Sequence, residues 1–350
     1  MRVSDAPANA PAAPPDGQAP TPTPASGHII WALSDGRAGM RNQALGLAEA
    51  VARRTNGGVA EKTLVIGRPW DRLPSWAWGD PFARLLPESD PLRPPWPDVL
   101  VACGRRTVPF GTALSDRCLT VQTQDPRTDP RRFGLVVPPI HDGLTGANVF
   151  PIHGSPNRLT EGALARDARE LEAALPPLPR PLAAVLIGGD SRDYRMTAEA
   201  TARIVETLTE AARTHGLLVT FSRRTPPGAE AALRAALAPL PAWVWDGQPV
   251  GTLANPYLGL LGLADRVFVT EESANMVSEA AFTGRPVHLL PLEGGAAKWG
   301  RFHAALEERG VLRPEAGLTE NWSYEPLRET DRAADAVVAA LAARKAARPL

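Results

Sequence analysis

The chain has 350 residues, with 38 Lys+Arg against 38 Asp+Glu, 44% hydrophobic residues and 2 Cys. That length suits about two domains of ordinary size, and zero formal net charge excludes a strongly basic nucleic-acid binder. Two Cys exclude a disulfide framework and a four-thiolate metal site, so a reducing, cytoplasmic setting is expected.

In chain order, residues 1–26 come first, with seven Pro, seven Ala and almost nothing to bury. A disordered tail is expected there, without the apolar run of a secretory signal. Beyond it, short apolar runs alternate with amphipathic stretches. Strands are predicted at 28–33, 59–66, 99–103, 119–123 and 133–137, with a helix at 40–54. Residues 67–97 are rich in Pro and Trp and read as an irregular insert. Its rings (Trp70, Trp76, Trp78, Trp96) either fill a loop-covered satellite core or bind an acceptor or lipid.

Pro176-Pro177-Leu178-Pro179-Arg180-Pro181 reads as a semi-rigid linker. The boundaries that follow are an N-terminal domain at 27–175, the linker at 176–181, a second domain at 182–325 and a C-terminal helix at 326–350. In the second domain, strands are predicted at 182–187, 217–221, 242–245, 266–270 and 287–290. Helices are predicted at 197–214, 228–238, 274–283, 301–308 and 333–346. Apolar strands separated by amphipathic helices predict parallel sheets covered on both faces. The fold class is therefore α/β, with two Rossmann-like domains facing across a cleft. No run of about 18 apolar residues predicts a transmembrane span, and peripheral association with a membrane's inner face is compatible with that.

Chemistry concentrates where predicted strands meet helices. Asp265 to Val287 runs strand, polar turn, helix, Gly-Arg-Pro, strand, and contains Glu272, Ser273, Asn275, Ser278 and Glu279. Ser273 is a natural N-cap, and a helix start offers amide groups to a phosphate. Glu279, nearly two turns on, can accept hydrogen bonds from ribose hydroxyls; the plain alternative is a capped helix with a solvated Glu. Gly188-Gly189-Asp190-Ser191 lets backbone amides approach a diphosphate, or is only a loop. Ser222-Arg223-Arg224 can neutralise a leaving diphosphate, or is a solvated turn.

In the first domain, Ser34 to Gln43 (with Gly36, Arg37, Gly39 and Asn42) leads from strand to helix and includes Asp35, the expected general base on an acceptor hydroxyl. His141, beside Asp142, is the second candidate base. Cys103-Gly104-Arg105 can line the acceptor side, with Cys103 a poor prospect for a nucleophile. Glu293-Gly294-Gly295 and Lys298 can close over a donor sugar, or merely cap a helix. No His-x-x-x-His, Cys-x-x-Cys or Asp-x-Asp pattern suggests a metal, so neither metal nor cofactor is expected.

The 265–287 segment resembles the donor-binding helix of GT-B glycosyltransferases, such as the enzyme that adds N-acetylglucosamine to make lipid II. With 31–50, 187–190 and 222–226, it resembles still more the mitochondrial-fission (elongated mitochondria) family, whose bacterial members look like glycosyltransferases; the matches cover 28 to about 315. The resemblance implies a GT-B-like fold and metal-independent transfer from a nucleotide-diphosphate sugar to an unidentified acceptor, a lipid or glycan. It places Glu279 on ribose and the helix start on the diphosphate. Two other functions stay open: a nucleotide-sugar epimerase or hydrolase on the same scaffold, and a non-catalytic, membrane-associated scaffold. Fold alone does not choose among them.

Overall fold

The computed structural model describes residues 27–347; the Pro/Ala-rich stretch 1–26 lies outside the described residues. The apolar runs of the first half form β1 (Ile29–Ser34), β2 (Gly58–Thr63), β3 (Val99–Cys103), β4 (Leu119–Thr123) and β5 (Leu135–Val137), a parallel sheet in the order β2-β1-β3-β4-β5. Register sets Ile30 beside Val59 and Val99, and Val101 beside Val121. β1, β3, β4 and β5 are buried almost throughout, as strands covered on both faces must be. Helix α1 (Ala38–Thr55) lays Leu47 and Val51 on one face. It stops at Asn56, which takes the left-handed conformation (φ 49°) common at helix ends.

The other face is covered by α2 (Val108–Ala113) and by the insert rather than by long helices. Trp31, Leu33 and Leu100 pack with Phe110, Leu114 and Trp78, and Trp70 and Trp96 are partly buried against them. Three of the four Trp thus fill a core beneath the loop, with Trp78 edge-on to Phe110 at 6.2 Å. Trp76 instead is 81% exposed.

The second half comprises α3 (Glu161–Ala174), β6 (Leu182–Ile187), β7 (Tyr194–Arg195), α4 (Ala198–Ala211), β8 (Gly216–Phe221), α5 (Pro227–Leu237), β9 (Ala242–Val244), α6 (Tyr257–Leu263), β10 (Arg266–Thr270), α7 (Ala274–Phe282), β11 (Val287–Leu290), β12 (Glu293–Gly294) and α8 (Ala297–Glu308). Its parallel sheet runs β11-β10-β6-β8-β9, and β7 pairs antiparallel with β12. α4 and α5 cover one face through Ile204, Leu208 and Leu233. α3, α6, α7 and α8 cover the other through Leu171, Leu260, Val277 and Phe302.

Two domain boundaries differ from expectation. The sequence pattern predicts no helix between residues 137 and 175, yet α3 forms and belongs to the second domain, where it packs on α6. Gly259 and Gly262 permit this, since a Cβ on either would lie 2.8 and 2.6 Å from the carbonyl oxygens of Asp167 and Leu164. The chain therefore crosses between domains just before α3, and the Pro-rich segment only joins α3 to β6. The C-terminal helix α9 (Glu329–Ala346) crosses back: Ala333, Ala334, Val337 and Leu341 complete the first-domain core beside α1. Its small side chains allow close helix packing, which a chain-order division cannot reveal.

Candidate functional site

The cleft is organised by the start of α7. Ser273 caps it, its side chain accepting from the Met276 amide. At the second residue of the helix, the Asn275 side-chain oxygen accepts from Gln43 Nε2 (2.9 Å) and Ser155 Oγ (2.8 Å), both in the first domain. The Ser155 amide donates to Ser278 Oγ at 3.0 Å. Glycines allow the approach: a Cβ on Gly39 would lie 2.8 Å from Asn275 Nδ2, and one on Gly154 (φ 80°) 2.0 Å from Ser278 Oγ. Asn275, Ser278, Gly39 and Gln43, expected among donor or acceptor contacts, make an interdomain seam, and Asn275 and Gln43 also line the chambers beside it. An open chamber lies on each side of it.

The larger chamber, about 750 Å³, opens at the carboxyl ends of β6 and β8, where open α/β sheets place ligands. Glu279 lines it. Its Oε2 accepts from the Tyr257 hydroxyl at 2.6 Å, and burial lifts its carboxyl to about 7 against the opposing pull of that hydrogen bond. Ser222, Arg223, Asn42, Phe221 and Trp245 line the same space. Among the described residues, the Arg223 guanidinium has no hydrogen bond or ion pair.

Arg224 points elsewhere. It meets Glu272 at 2.9 Å, and the same Glu272 oxygen accepts from the Gly189 amide at 3.0 Å. Glu272 is 3% exposed, so burial raises its pKa, while those bonds hold the charged form. A Cβ on Gly188 would lie 1.8 Å from Glu272 Oε1, and one on Gly189 2.1 Å from the Arg224 carbonyl. Glycine is needed here for internal packing of the turn. Glu272 and Arg224 therefore buttress this turn instead of facing the chamber.

The smaller chamber, about 540 Å³, is lined by Arg37, Gln43, Arg105, Gln124, Asp125, Arg127, His141, Asp142, Ser155, Arg192, Ala274, Lys298 and Trp299. His141 is 8% exposed and stacks on Trp299; Arg301 of α8 donates to its carbonyl at 2.8 and 3.1 Å. Burial, then the charges of Lys298 and Arg301, push its pKa down to about 4, so the ring is neutral near pH 7. Among the described residues, its buried Nδ1 has no hydrogen-bond partner.

Asp35, the expected base, does not line either chamber. Its side chain is 1% exposed and held by Arg37 at 2.8 Å and Arg106 at 3.5 Å. Two guanidiniums on a buried carboxylate order the Ser34–Gly36 turn, where Gly36 takes φ 75°. Arg105 donates to the carbonyls of Asp71 and Arg72, tying the insert to the chamber wall. Cys103 is buried, which raises its thiol to about 12. Lys298 pairs with Asp193 at 2.7 Å, and Glu293 with Arg203.

Sequence reasoning missed Tyr257, Ser155, Trp245 and Arg192. Tyr257 stands 22 positions from Glu279, and the pair exists only because α6 and α7 are packed together. Among the described residues, no His, Cys, Asp and Glu group of three or more is placed to hold a metal ion, and no helix is long and apolar enough to cross a membrane.

Similarity to solved structures supports the architecture. A UDP-GlcNAc 2-epimerase from Methanocaldococcus jannaschii aligns with a TM-score of 0.53 at 12% identity, covering 89% of this chain and 99% of that one. The UDP-GlcNAc 2-epimerase from Neisseria meningitidis, solved with UDP-GlcNAc bound, aligns at 0.50 and 12%, covering 90% and 99%. The fold is GT-B-like, with two Rossmann-like domains across a cleft. The mitochondrial fission protein ELM1 of Arabidopsis thaliana is 29% identical over 280 residues, 71% of this chain but 65% of the plant protein. The family model described as Mitochondrial fission ELM1 matches residues 38–341. The chain belongs to the Mitochondrial fission ELM1 family.

Proposed function

We propose that the chain is a glycosyltransferase that binds a nucleotide-diphosphate sugar across the larger chamber and uses neither metal nor cofactor. The observation that carries this is Glu279: a part-buried carboxylate with one oxygen on Tyr257, facing a cavity of about 750 Å³ together with Arg223, which has no hydrogen bond or ion pair among the described residues. Ribose hydroxyls supply the donors this carboxylate lacks, and Phe221 and Trp245 offer an apolar wall to the base. Arg223 and the Ser273-capped helix start stabilise negative charge developing on the leaving diphosphate. The likeness to a structure holding UDP-GlcNAc agrees with this ligand class.

In the transfer step, an acceptor oxygen bonds to the donor's anomeric carbon as the bond to the diphosphate oxygen breaks. The electron pair leaves with the nucleoside diphosphate. The acceptor proton goes to His141, whose unpartnered Nδ1 offers a lone pair when Nε2, 3.9 Å from Asp142, carries the ring proton. A second reading has one observation in its favour. The acids and bases of the smaller chamber (Asp125, Asp142, His141, Lys298) also suit a sugar epimerase or hydrolase.

The test is a thermal-shift titration with UDP and GDP, followed by product analysis with UDP sugars. A melting rise that disappears in Glu279→Ala is expected. No rise with any nucleotide would sink the proposal, and an epimerised or hydrolysed sugar without transfer would favour the second reading.

A further inference from the structure

Within this nucleotide-sugar reading, we propose that the smaller chamber binds a phosphate group carried by the acceptor, so that the acceptor is a phosphorylated hydroxyl compound. Five cations line the chamber (Arg37, Arg105, Arg127, Arg192 and Lys298) against two carboxylates, Asp125 and Asp142. Arg37 and Lys298 are neutralised by Asp35 and Asp193. Arg105 meets only backbone carbonyls, and the guanidiniums of Arg127 and Arg192 have no hydrogen-bonded or ion-paired partner among the described residues. Three guanidiniums without an ion-paired carboxylate around one concavity, Arg127 and Arg192 acting on Asp142 and Asp193 only at longer range, match the several acceptor oxygens of a phosphate.

The second observation is independent of charge. His141 is more than nine-tenths buried, lines this chamber, and leaves Nδ1 with no partner. A buried polar atom without a partner is costly, and a ligand hydroxyl would satisfy it. Ala274, the first residue of α7, also lines the chamber. The phosphate would have a further effect. Burial first, and then the cations of α8, hold His141 in its neutral form, and an anion beside those cations offsets their field, making the ring a better proton acceptor.

The experiment uses the full chain and two probes, inorganic phosphate and glycerol 3-phosphate, with acetate at equal ionic strength as control. Melting shifts give affinities, and imidazole nitrogen resonances, assigned through His141→Ala, report on His141. Both phosphates are expected to raise the melting temperature and move the His141 resonances, with its titration midpoint shifted upward. Arg127→Ala/Arg192→Ala should bind both at least tenfold more weakly while melting close to wild type without ligand, since among the described residues neither guanidinium has a hydrogen-bonded or ion-paired partner. UDP binding should stay within twofold. Three results overturn the proposal: acetate acting as strongly as phosphate, glycerol 3-phosphate failing to compete with inorganic phosphate, or phosphate binding lost in Arg223→Ala but kept in the double variant. Phosphate binding without any nucleotide effect would reject the nucleotide reading alone.

Discussion

The two chambers lie within one cleft, share the start of α7 as a wall, and differ in how their charges are satisfied. The larger holds two part-buried carboxylates, Glu279 on the Tyr257 hydroxyl and Glu49 paired with Arg158, and, among the described residues, one lining guanidinium without a hydrogen bond or ion pair, Arg223. The smaller has several cations, a neutral buried imidazole and a neighbouring carboxylate, Asp35, already neutralised by Arg37 and Arg106. Both candidate carboxylates follow a strand in the same βα rhythm, yet only Glu279 remains available to a ligand. What separates them is the number of guanidiniums within reach, not the residue type or its place in the chain.

The sharpest way to break this comparison is to remove Glu279. Glu279→Ala should weaken UDP binding by ten- to a hundred-fold, about 1–3 kcal/mol, because ribose hydroxyls would be desolvated without an acceptor. Titration calorimetry reads this directly, and an unchanged affinity would place the nucleotide away from α7.

Next come the adjacent arginines. Arg224→Ala should lower stability by about 1–3 kcal/mol, since it leaves the buried Glu272 carboxylate short of a partner. Arg223→Ala should melt like wild type but bind UDP several-fold more weakly. If the two variants exchanged these effects, the assignment of one to scaffold and the other to ligand would be reversed.

The pH dependence is smaller. Burial raises Glu279 to about 7, above the ordinary 4.5, so the folded state holds this proton more tightly than the unfolded chain. Stability from this group is therefore present below pH 4.5 and lost as pH rises from there through about 7. Glu279→Gln should melt above wild type at pH 8 and close to it at pH 5. Wild-type affinity for UDP should run the other way, several-fold stronger at pH 8 than at pH 6, as the carboxylate forms.

The smallest effect is expected at Asp35. Asp35→Asn should leave UDP affinity within about twofold and cost about 1 kcal/mol of stability, because Asn suits the turn but loses the charge facing Arg37 and Arg106. A hundred-fold fall in turnover with stability intact would restore Asp35 as the base.

Sequence by itself determined the two-domain α/β architecture and nearly every strand. Buried parallel strands read as continuous apolar runs, and runs such as 99–103 and 266–270 admit little else. It also located the α7 cap and Glu279, because a strand, polar turn and helix are local signals. Tertiary structure alone decided which domain owns α3 and α9, since both are assigned by helix–helix packing across long separations. It likewise decided that Arg224 buttresses a turn while Arg223 faces open space, and that Asn275 joins domains while Glu279 waits for a ligand. Neighbouring residues on one turn look alike in sequence. Their chemistry depends on which partner lies within about 3 Å, and those partners are 48 positions away for Arg224 and 232 for Asn275.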